Sequence, residues 1–400
     1  MACGSVRCLL FMAVCFVGIA YILYTPFPED AVEPHIQMGI SLVVAAIFKM
    51  CDFQEYIGYK TFPECARDPF NINSFLNIGV SDDNVQVSEE LFDGVKVRLY
   101  VPRDQTVKSP LPGIIYLHGG GWIIGSTDMY DELTRNLATS LSAVVASVDY
   151  RLAPEYPFPV PFEDCLKATK YFMVNAEKFG VDASRIAVSG DSAGGNLAMA
   201  VGTKLTKEGQ PPRLLGLIYP ALQMLDFNTP SYVTYQSIPF VLQKKRMVSF
   251  YITYAFGNEN GIEKYLENRH VSETLRRAME TKVSIDLLPE KYQKLHVETN
   301  TAVDTNLALK VEKTMNNIYL CPLLLDDDEL YALPKTYLLT CEYDPLRDDG
   351  LMLARRWKDM YFPVTHVHWD GVQHGFFSGG NSNCTKEAVD DFIKYLRAEL

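Results

Sequence analysis

Short apolar runs alternate with stretches of helical spacing through the middle of this chain. "LPGIIYLH" (Leu111 to His118), "AVVASVDY" (Ala143 to Tyr150), "RIAVSG" (Arg185 to Gly190) and "LLGLIYP" (Leu214 to Pro220) have the pattern of strands covered on both faces. Between them, Asp128 to Leu141, Phe162 to Phe179 and Asn196 to Leu205 carry apolar residues three and four apart, as amphipathic helices do. The alternation resumes near the C-terminus: a strand "KTYLLTCEY", a helix over Asp349 to Met360, a strand "VTHVHW" and a helix over Lys386 to Leu400. This order predicts an α/β fold, a mostly parallel central sheet with helices on both faces. From about Leu225 to Leu333 the pattern breaks, over a stretch too long for an ordinary loop. It holds apolar helices of its own, such as Met247 to Phe256, and reads as a helical cap over the sheet. Residues of about 30–80 form a second expected cap element.

The N-terminus departs from this pattern. "CLLFMAVCFVGIAYILY", Cys8 to Tyr24, is unbroken apolar sequence, just long enough to span a bilayer. Arg7 precedes it, and Glu29 and Asp30 follow. The positive-inside rule then leaves the N-terminus cytosolic and residues 26–400 lumenal. Two readings compete: a retained signal-anchor over residues 1–25, or a signal peptide cleaved after Ala20 and a secreted product. Apolar residues continuing beyond Ala20 favour the anchor. A second run, "ISLVVAAIF" (Ile40 to Phe48), is too short to span and reads as a buried or interfacial helix.

Composition narrows the picture. The 400 residues are 48% hydrophobic, which suits a globule with a large core. The net charge of −12 argues against a nucleic-acid partner, since phosphate binding needs clustered cations. The acidic stretch Asp326 to Glu329 reads as a solvated loop. Of nine cysteines, Cys3, Cys8, Cys15 and Cys51 lie in or near the apolar N-terminal segments. One bridge among Cys65, Cys165, Cys321, Cys341 and Cys384 fits an oxidising lumen, with no pair singled out. No cysteine pair has zinc-ligand spacing, and neither a metal nor a cofactor is expected. "NCT", Asn383 to Thr385, is the only N-x-S/T sequon in the chain. It lies between two predicted elements, so Asn383 is expected on an exposed loop and, in a lumen, glycosylated.

The chemistry concentrates at strand ends. "SGDSAGGN" places Gly190, Ser192 and Gly194 as G-x-S-x-G between a predicted strand and helix, the context of a nucleophile elbow. The alternative is a glycine-rich turn with a capping serine. A serine needs a base to take its proton. Of seven histidines, His35 lies beside the apolar N-terminal segments and His270 and His296 lie in the insertion. His366 and His368 share one strand face and read as structural. His374, in the "DGVQHGFF" loop after the last strand, stands where α/β sheets place catalysts. A carboxylate must then hold the imidazole. Asp344 directly follows "TYLLTCEY", whereas Glu342 belongs to the strand, Asp348 and Asp349 suit a helix start, and Asp370 shares the histidine's own loop. "HGGGW" ends the strand beside the elbow. His118, Gly119, Gly120 and Gly121, with Ala193 after the serine, are the expected oxyanion element: Gly120, Gly121 and Ala193 as donors, His118 holding the loop. No Lys-Ser/Thr pair follows the glycines, which excludes a P-loop.

In combination, "HGGGW", "DYRLAPEYPFP", "GDSAGGN", "YPALQ" and "CEYDPLRDDGL" resemble the hormone-sensitive lipase group of α/β-hydrolases. The N-terminal anchor, "CPLLLDDDELYALPKTYLLTCEYDPLRDDG" and "DGVQHGFF" bring the chain nearest to the arylacetamide deacetylase-like members. The resemblance implies an α/β-hydrolase fold, Ser192, Asp344 and His374 as catalytic triad, and a lumenal domain on an endoplasmic reticulum anchor. It implies a serine hydrolase of carboxylic esters or arylamides acting through an acyl-enzyme, with a small apolar ester, amide or lipid as substrate. In such relatives a cysteine follows "HGGGW"; here the position is Ile123, so any bridge from it toward Cys341 has no counterpart. The insertion is aromatic (Phe227, Tyr232, Tyr235, Phe240, Phe250, Tyr251, Tyr254, Phe256), which suits either a lid over an apolar group or the cap's own core. A neutral-lipid lipase of the same mechanism remains open. So does a ligand-binding member without activity, against which the complete triad counts.

Overall fold

The computed structural model describes residues 27–70, 84–103, 110–236, 238, 240–297, 302–378 and 382–400. The apolar run Cys8 to Tyr24 and the end of the expected cap element over residues 30–80 lie outside the described residues. Eight strands make one sheet: β1 (Val85–Phe92), β2 (Val95–Pro102), β3 (Leu111–Leu117), β4 (Val144–Asp149), β5 (Val181–Asp191), β6 (Leu214–Ile218), β7 (Lys335–Tyr343) and β8 (Val364–Gln373). Their order is β1-β2-β4-β3-β5-β6-β7-β8, with β1 and β2 antiparallel to their neighbours and every pair from β4 to β8 parallel.

The sheet is buried on both faces, as its continuous apolar strands require. Ile115 and Leu117 of β3 point into one core, beside Ile186, Val188, Phe172, Val201 and Trp357. Ile114 and Tyr116, one residue out of phase, point into the other with Leu137, Phe392 and Leu396. The covering helices are α3 (Asp131–Leu141), α4 (Val160–Val174), α5 (Ala193–Lys207), α7 (Arg347–Asp359) and α8 (Asn383–Glu399).

The β1–β2 hairpin was not anticipated. Its two-residue turn is Asp93-Gly94, with φ of 49° and 83°, the left-handed pair that a tight hairpin demands. Between Ile218 and Lys335 no strand occurs among the described residues; short helices and α6 (Lys244–Phe256) pack above the strands' C-terminal ends. The acidic Asp326 to Glu329 is not a loop. Asp326 caps a short helix, Asp327–Tyr331, and Glu329 reaches back to the Asp326 N–H at 3.0 Å.

Ile40 to Phe48 proves to be the middle of a longer helix, α1 (Pro34–Tyr56, 23 residues), long and apolar enough by length and composition alone to cross a membrane. It is fastened to the catalytic side of the sheet. Gln37 Nε2 donates to Gly371 O at 2.8 Å, Gln373 N donates to Gln37 Oε1 at 2.9 Å, and Ser41 Oγ donates to Gln373 Oε1 at 2.8 Å. A disulfide, Cys51–Cys65, joins α1 to α2 (Phe62–Phe70). This corrects the expected pairing set, which left Cys51 out because of its apolar neighbourhood. Cys165, Cys321, Cys341 and Cys384 are free and buried.

The sequon is also placed differently. Asn383 opens α8 instead of lying in a loop, because Ser382 caps the helix by accepting from Thr385 N at 3.1 Å. Asn383 is exposed; Thr385 is buried, its hydroxyl donating to Phe376 O at 2.6 Å.

Candidate active site

Three residues that each follow the last residue of a parallel strand meet at one edge of the sheet: Ser192 after β5, Asp344 after β7 and His374 after β8. Asp344 Oδ2 accepts from His374 Nδ1 at 2.9 Å. That leaves Nε2 to accept from Ser192 Oγ, also at 2.9 Å. The second carboxylate oxygen, Asp344 Oδ1, accepts from Leu346 N at 2.8 Å, so the carboxylate cannot swing away. Asp344 is 1% exposed, and Ser192 and His374 are each 7% exposed, enough to meet a substrate from one side only.

The elbow explains its own sequence. Ser192 has φ 56° and ψ −119°, a strained backbone for any residue with a side chain. The turn is tolerated because the flanking glycines leave room: a Cβ on Gly194 would fall 1.9 Å from Leu117 O. Ser192 thereby sits at the N-terminus of α5, where N–H groups point outward and stabilise negative charge.

The five residues expected to form the oxyanion element divide into two groups. Gly120 and Gly121 line the cavity beside Ser192. The N–H groups of Gly120, Gly121 and Ala193 carry no protein hydrogen bond among the described residues. Gly121 has φ +62°, and a Cβ there would strike the Phe250 ring at 2.1 Å. Gly119 is not available as a donor: its N–H lies 3.0 Å from both Asp191 Oδ1 and Tyr130 Oη. The His118 ring turns away, stacked on Tyr150 at 4.2 Å between centroids, and burial lowers its pKa. Neither residue presents a donor to the cavity.

Sequence reasoning passed over two supports. Asp191, next to Ser192, accepts from Tyr116 Oη at 3.1 Å and Tyr130 Oη at 2.8 Å as well as from Gly119. Burial raises its pKa, against these donors. It ties the end of β5 to the glycine loop. Tyr219 packs its ring 4.6 Å from that of His374. Asp191 lies inside "GDSAGGN" and Tyr219 opens "YPALQ", but neither motif tells which groups these side chains meet.

The rival groups are accounted for. Asp348 Oδ1 accepts from buried Arg347 Nε at 2.9 Å. Asp349, which burial pushes up to about 8, accepts from Gln223 Nε2 and Leu222 N. Glu342 accepts from Gly371 N, and Asp370 faces Lys291 on the surface. His366 and His368 both meet Thr340 Oγ1, at 2.9 and 2.8 Å, and burial pulls each down to about 4. His270, also lowered to about 4 by burial, bonds Met224 O inside the insertion. Of the eight aromatic residues named above as a possible lid, Phe250 alone lines the cavity; Tyr251 and Tyr254 pack on Trp122 as cap core.

The cavity above Ser192 measures about 220 Å³. Ile40, Val44 and Phe48 of α1 roof it, and Leu242, Met247 and Phe250 close the other side. The arrangement offers an activated hydroxyl, a base, unpaired N–H donors and an apolar chamber. No group of His, Cys, Asp and Glu able to hold a metal occurs among the described residues.

Comparison with known proteins agrees with this geometry. A family model of the alpha/beta hydrolase fold matches residues 114–285 and 277–378. Arylacetamide deacetylase of Oryctolagus cuniculus is 39% identical over 406 residues, covering 99% of this chain and 100% of that protein. Neutral cholesterol ester hydrolase 1 of Rattus norvegicus is 34% identical, covering 97% of this chain and 98% of its own. Among solved structures, a hyperthermophilic esterase from Pyrobaculum calidifontis superposes with a TM-score of 0.63 at 29% identity, covering 84% of this chain and 93% of that one. The chain belongs to the arylacetamide deacetylase-like branch of the hormone-sensitive lipase group of α/β-hydrolases, a family of carboxylic ester hydrolases.

Proposed function

We propose that this protein hydrolyses small apolar carboxylic esters, and arylamides of similar size, through an acyl-enzyme on Ser192. His374 Nε2 takes the Ser192 proton as Oγ attacks the substrate carbonyl. Asp344 holds the imidazole tautomer and stabilises its charged form. The oxygen that becomes negative is met by the N–H groups of Gly120, Gly121 and Ala193, aided by the α5 dipole. His374 returns the proton to the leaving alcohol or amine. A water deprotonated by the same histidine then releases the acid and restores Ser192.

The observation that carries this reading is the Ser192–His374–Asp344 relay opening into an apolar chamber. The chamber's size suggests the substrate class. At about 220 Å³ it falls below the roughly 300–1,000 Å³ usual for drug-sized ligands, so it suits short acyl groups. Turnover of p-nitrophenyl butyrate is expected to exceed that of the palmitate by about tenfold or more, since the longer chain must displace α1. Equal or faster cleavage of a dispersed long-chain triglyceride would replace this reading by a lipase. The 34% identity to a cholesterol ester hydrolase keeps that second reading in view.

We further propose a type II topology in the endoplasmic reticulum membrane, with Cys8 to Tyr24 as anchor and the catalytic domain lumenal. Support comes from the flanking charges and from the Cys51–Cys65 bridge, which an oxidising compartment maintains. Exposed Asn383 at the start of α8 leaves room for a glycan. Endoglycosidase H is expected to raise the gel mobility of the membrane-bound protein by about one glycan, and Asn383→Gln to abolish that shift. Digestion of the domain by protease added outside sealed microsomes would refute the topology.

A further inference from the structure

The helix that roofs the active site has a second apolar face, turned to solvent. Ile36, Gly39, Val43, Ala46, Met50, Phe53 and Ile57 recur at alternating steps of three and four, and all are exposed. Val43 is 62% and Phe53 61% exposed. None of the seven carries a charge. The opposite face, Gln37, Ser41, Val44, Phe48 and Cys51, is spent on the catalytic domain through the hydrogen bonds, cavity lining and disulfide described above. The helix's acids stand off the stripe: Asp52 pairs with Arg246 at 2.7 Å, and Glu55 accepts from Phe62 N at 3.0 Å. A helix face of this width with no charge among its seven residues, bordered by exposed Lys49 and left uncovered by the described residues, is the mark of an interaction surface.

We infer that this stripe lies on the bilayer, so that apolar substrate passes from the membrane under α1 into the cavity. The path of the chain identifies the occupant. The apolar run ends at Tyr24, and by Phe27 the chain is packed on Phe240, with ring centroids 5.4 Å apart. Phe240 in turn stacks on Tyr343, the residue before Asp344. Three residues span about 10 Å at most, so a run that ends in the membrane brings this edge of the domain to the membrane surface. An amphipathic helix held there buries its apolar face to a depth of roughly 5–10 Å at the headgroup–acyl boundary. Ile36 belongs both to the stripe and to the cavity wall, which makes the two apolar surfaces continuous. The inference rests on the anchor reading above.

The test uses full-length protein in phosphatidylcholine vesicles whose acyl chains carry bromine, which quenches tryptophan. Of the three native tryptophans, Trp122 and Trp357 are fully buried and supply a steady background, and the partly exposed Trp369 is replaced by phenylalanine in every protein compared. Val43→Trp and Phe53→Trp are expected to lose fluorescence about twofold or more relative to unbrominated vesicles. Tyr361→Trp, 91% exposed on the turn leading into β8 at the opposite end of the sheet, is expected to lose none. In a second arm, the double variant Val43→Asp/Phe53→Asp is expected to cleave a long-chain ester embedded in the vesicles about tenfold more slowly, with p-nitrophenyl acetate turnover unchanged. Floating protein whose Val43→Trp signal is unquenched, or which crosslinks between copies through this face, would overturn the inference while leaving the anchor standing. Failure of the protein to float with vesicles would remove the anchor and the inference together. An equal fall on both substrates, or no fall on either, would also count against it. Absence of any ester turnover in the unmutated protein would instead strike the proposed activity, and the quenching arm would still decide the docking.

Discussion

Replacing Ser192 by alanine is expected to remove ester turnover, by a factor on the order of 10⁶ in kcat, as deletion of a comparable serine does elsewhere. Its Oγ makes one hydrogen bond to the protein, to His374, and lies at the floor of the cavity, so its loss leaves no buried partner stranded in the core. The melting temperature is therefore expected to stay close to that of the unmutated protein, and substrate binding to persist. The check is kcat on p-nitrophenyl butyrate beside a thermal melt. Retention of about a hundredth of the rate or more would mean that another group attacks the ester.

Asp344→Asn is expected to lower kcat by about 10⁴ with the fold intact. Asp344 Oδ1 already accepts from Leu346 N, so an asparagine must keep its oxygen there and turn its NH₂ toward His374 Nδ1. Two donors then face each other unless the proton moves to Nε2, and a protonated Nε2 cannot accept from Ser192. Asp348→Asn separates this role from a structural one. It weakens a buried pair with Arg347, so it is expected to lower the melting temperature and leave kcat nearly unchanged. If Asp348→Asn produced the larger fall in kcat while Asp344→Asn did not, the carboxylate would be misassigned.

The parallel half of the sheet was legible because each strand is an apolar run bounded by helical spacing, and buried strands have no other way to be written. The order of Ser192, Asp344 and His374 was legible for a related reason: each directly follows such a run. The antiparallel hairpin was readable and passed over. "VQVSEELF" and "VKVRLYVP" alternate imperfectly, but Asp93-Gly94 between them is a strong hairpin signal. Other features needed three dimensions. Ile40 to Phe48 gave no hint that the helix reaches back through polar Gln37 to Pro34, because the partners of Gln37 and Ser41, Gly371 and Gln373, lie more than 330 positions away. Cys51 was set aside for its apolar neighbours, though the same helix carries it to Cys65. Asn383 looked like loop since the helix start depends on one cap, Ser382. Nothing local sets Gly119 apart from the two glycines after it; Asp191 takes the Gly119 N–H and leaves the next two N–H groups unpaired among the described residues. The ties of α1 to β8 and of Asp191 to Gly119 are long-range hydrogen bonds that local pattern does not encode, whereas the hairpin turn and the Ser382 cap are local signals.

The central claim is that Ser192 is the nucleophile, activated by His374. Incubation of the full-length protein with a fluorophosphonate, which forms a covalent adduct only with an activated serine, tests it most directly. The account predicts one adduct per chain, mapped by peptide mass to Ser192, with loss of ester hydrolysis in step with labelling. It also predicts no adduct in His374→Ala. Full labelling at another residue, or hydrolysis continuing after Ser192 is fully labelled, would contradict it.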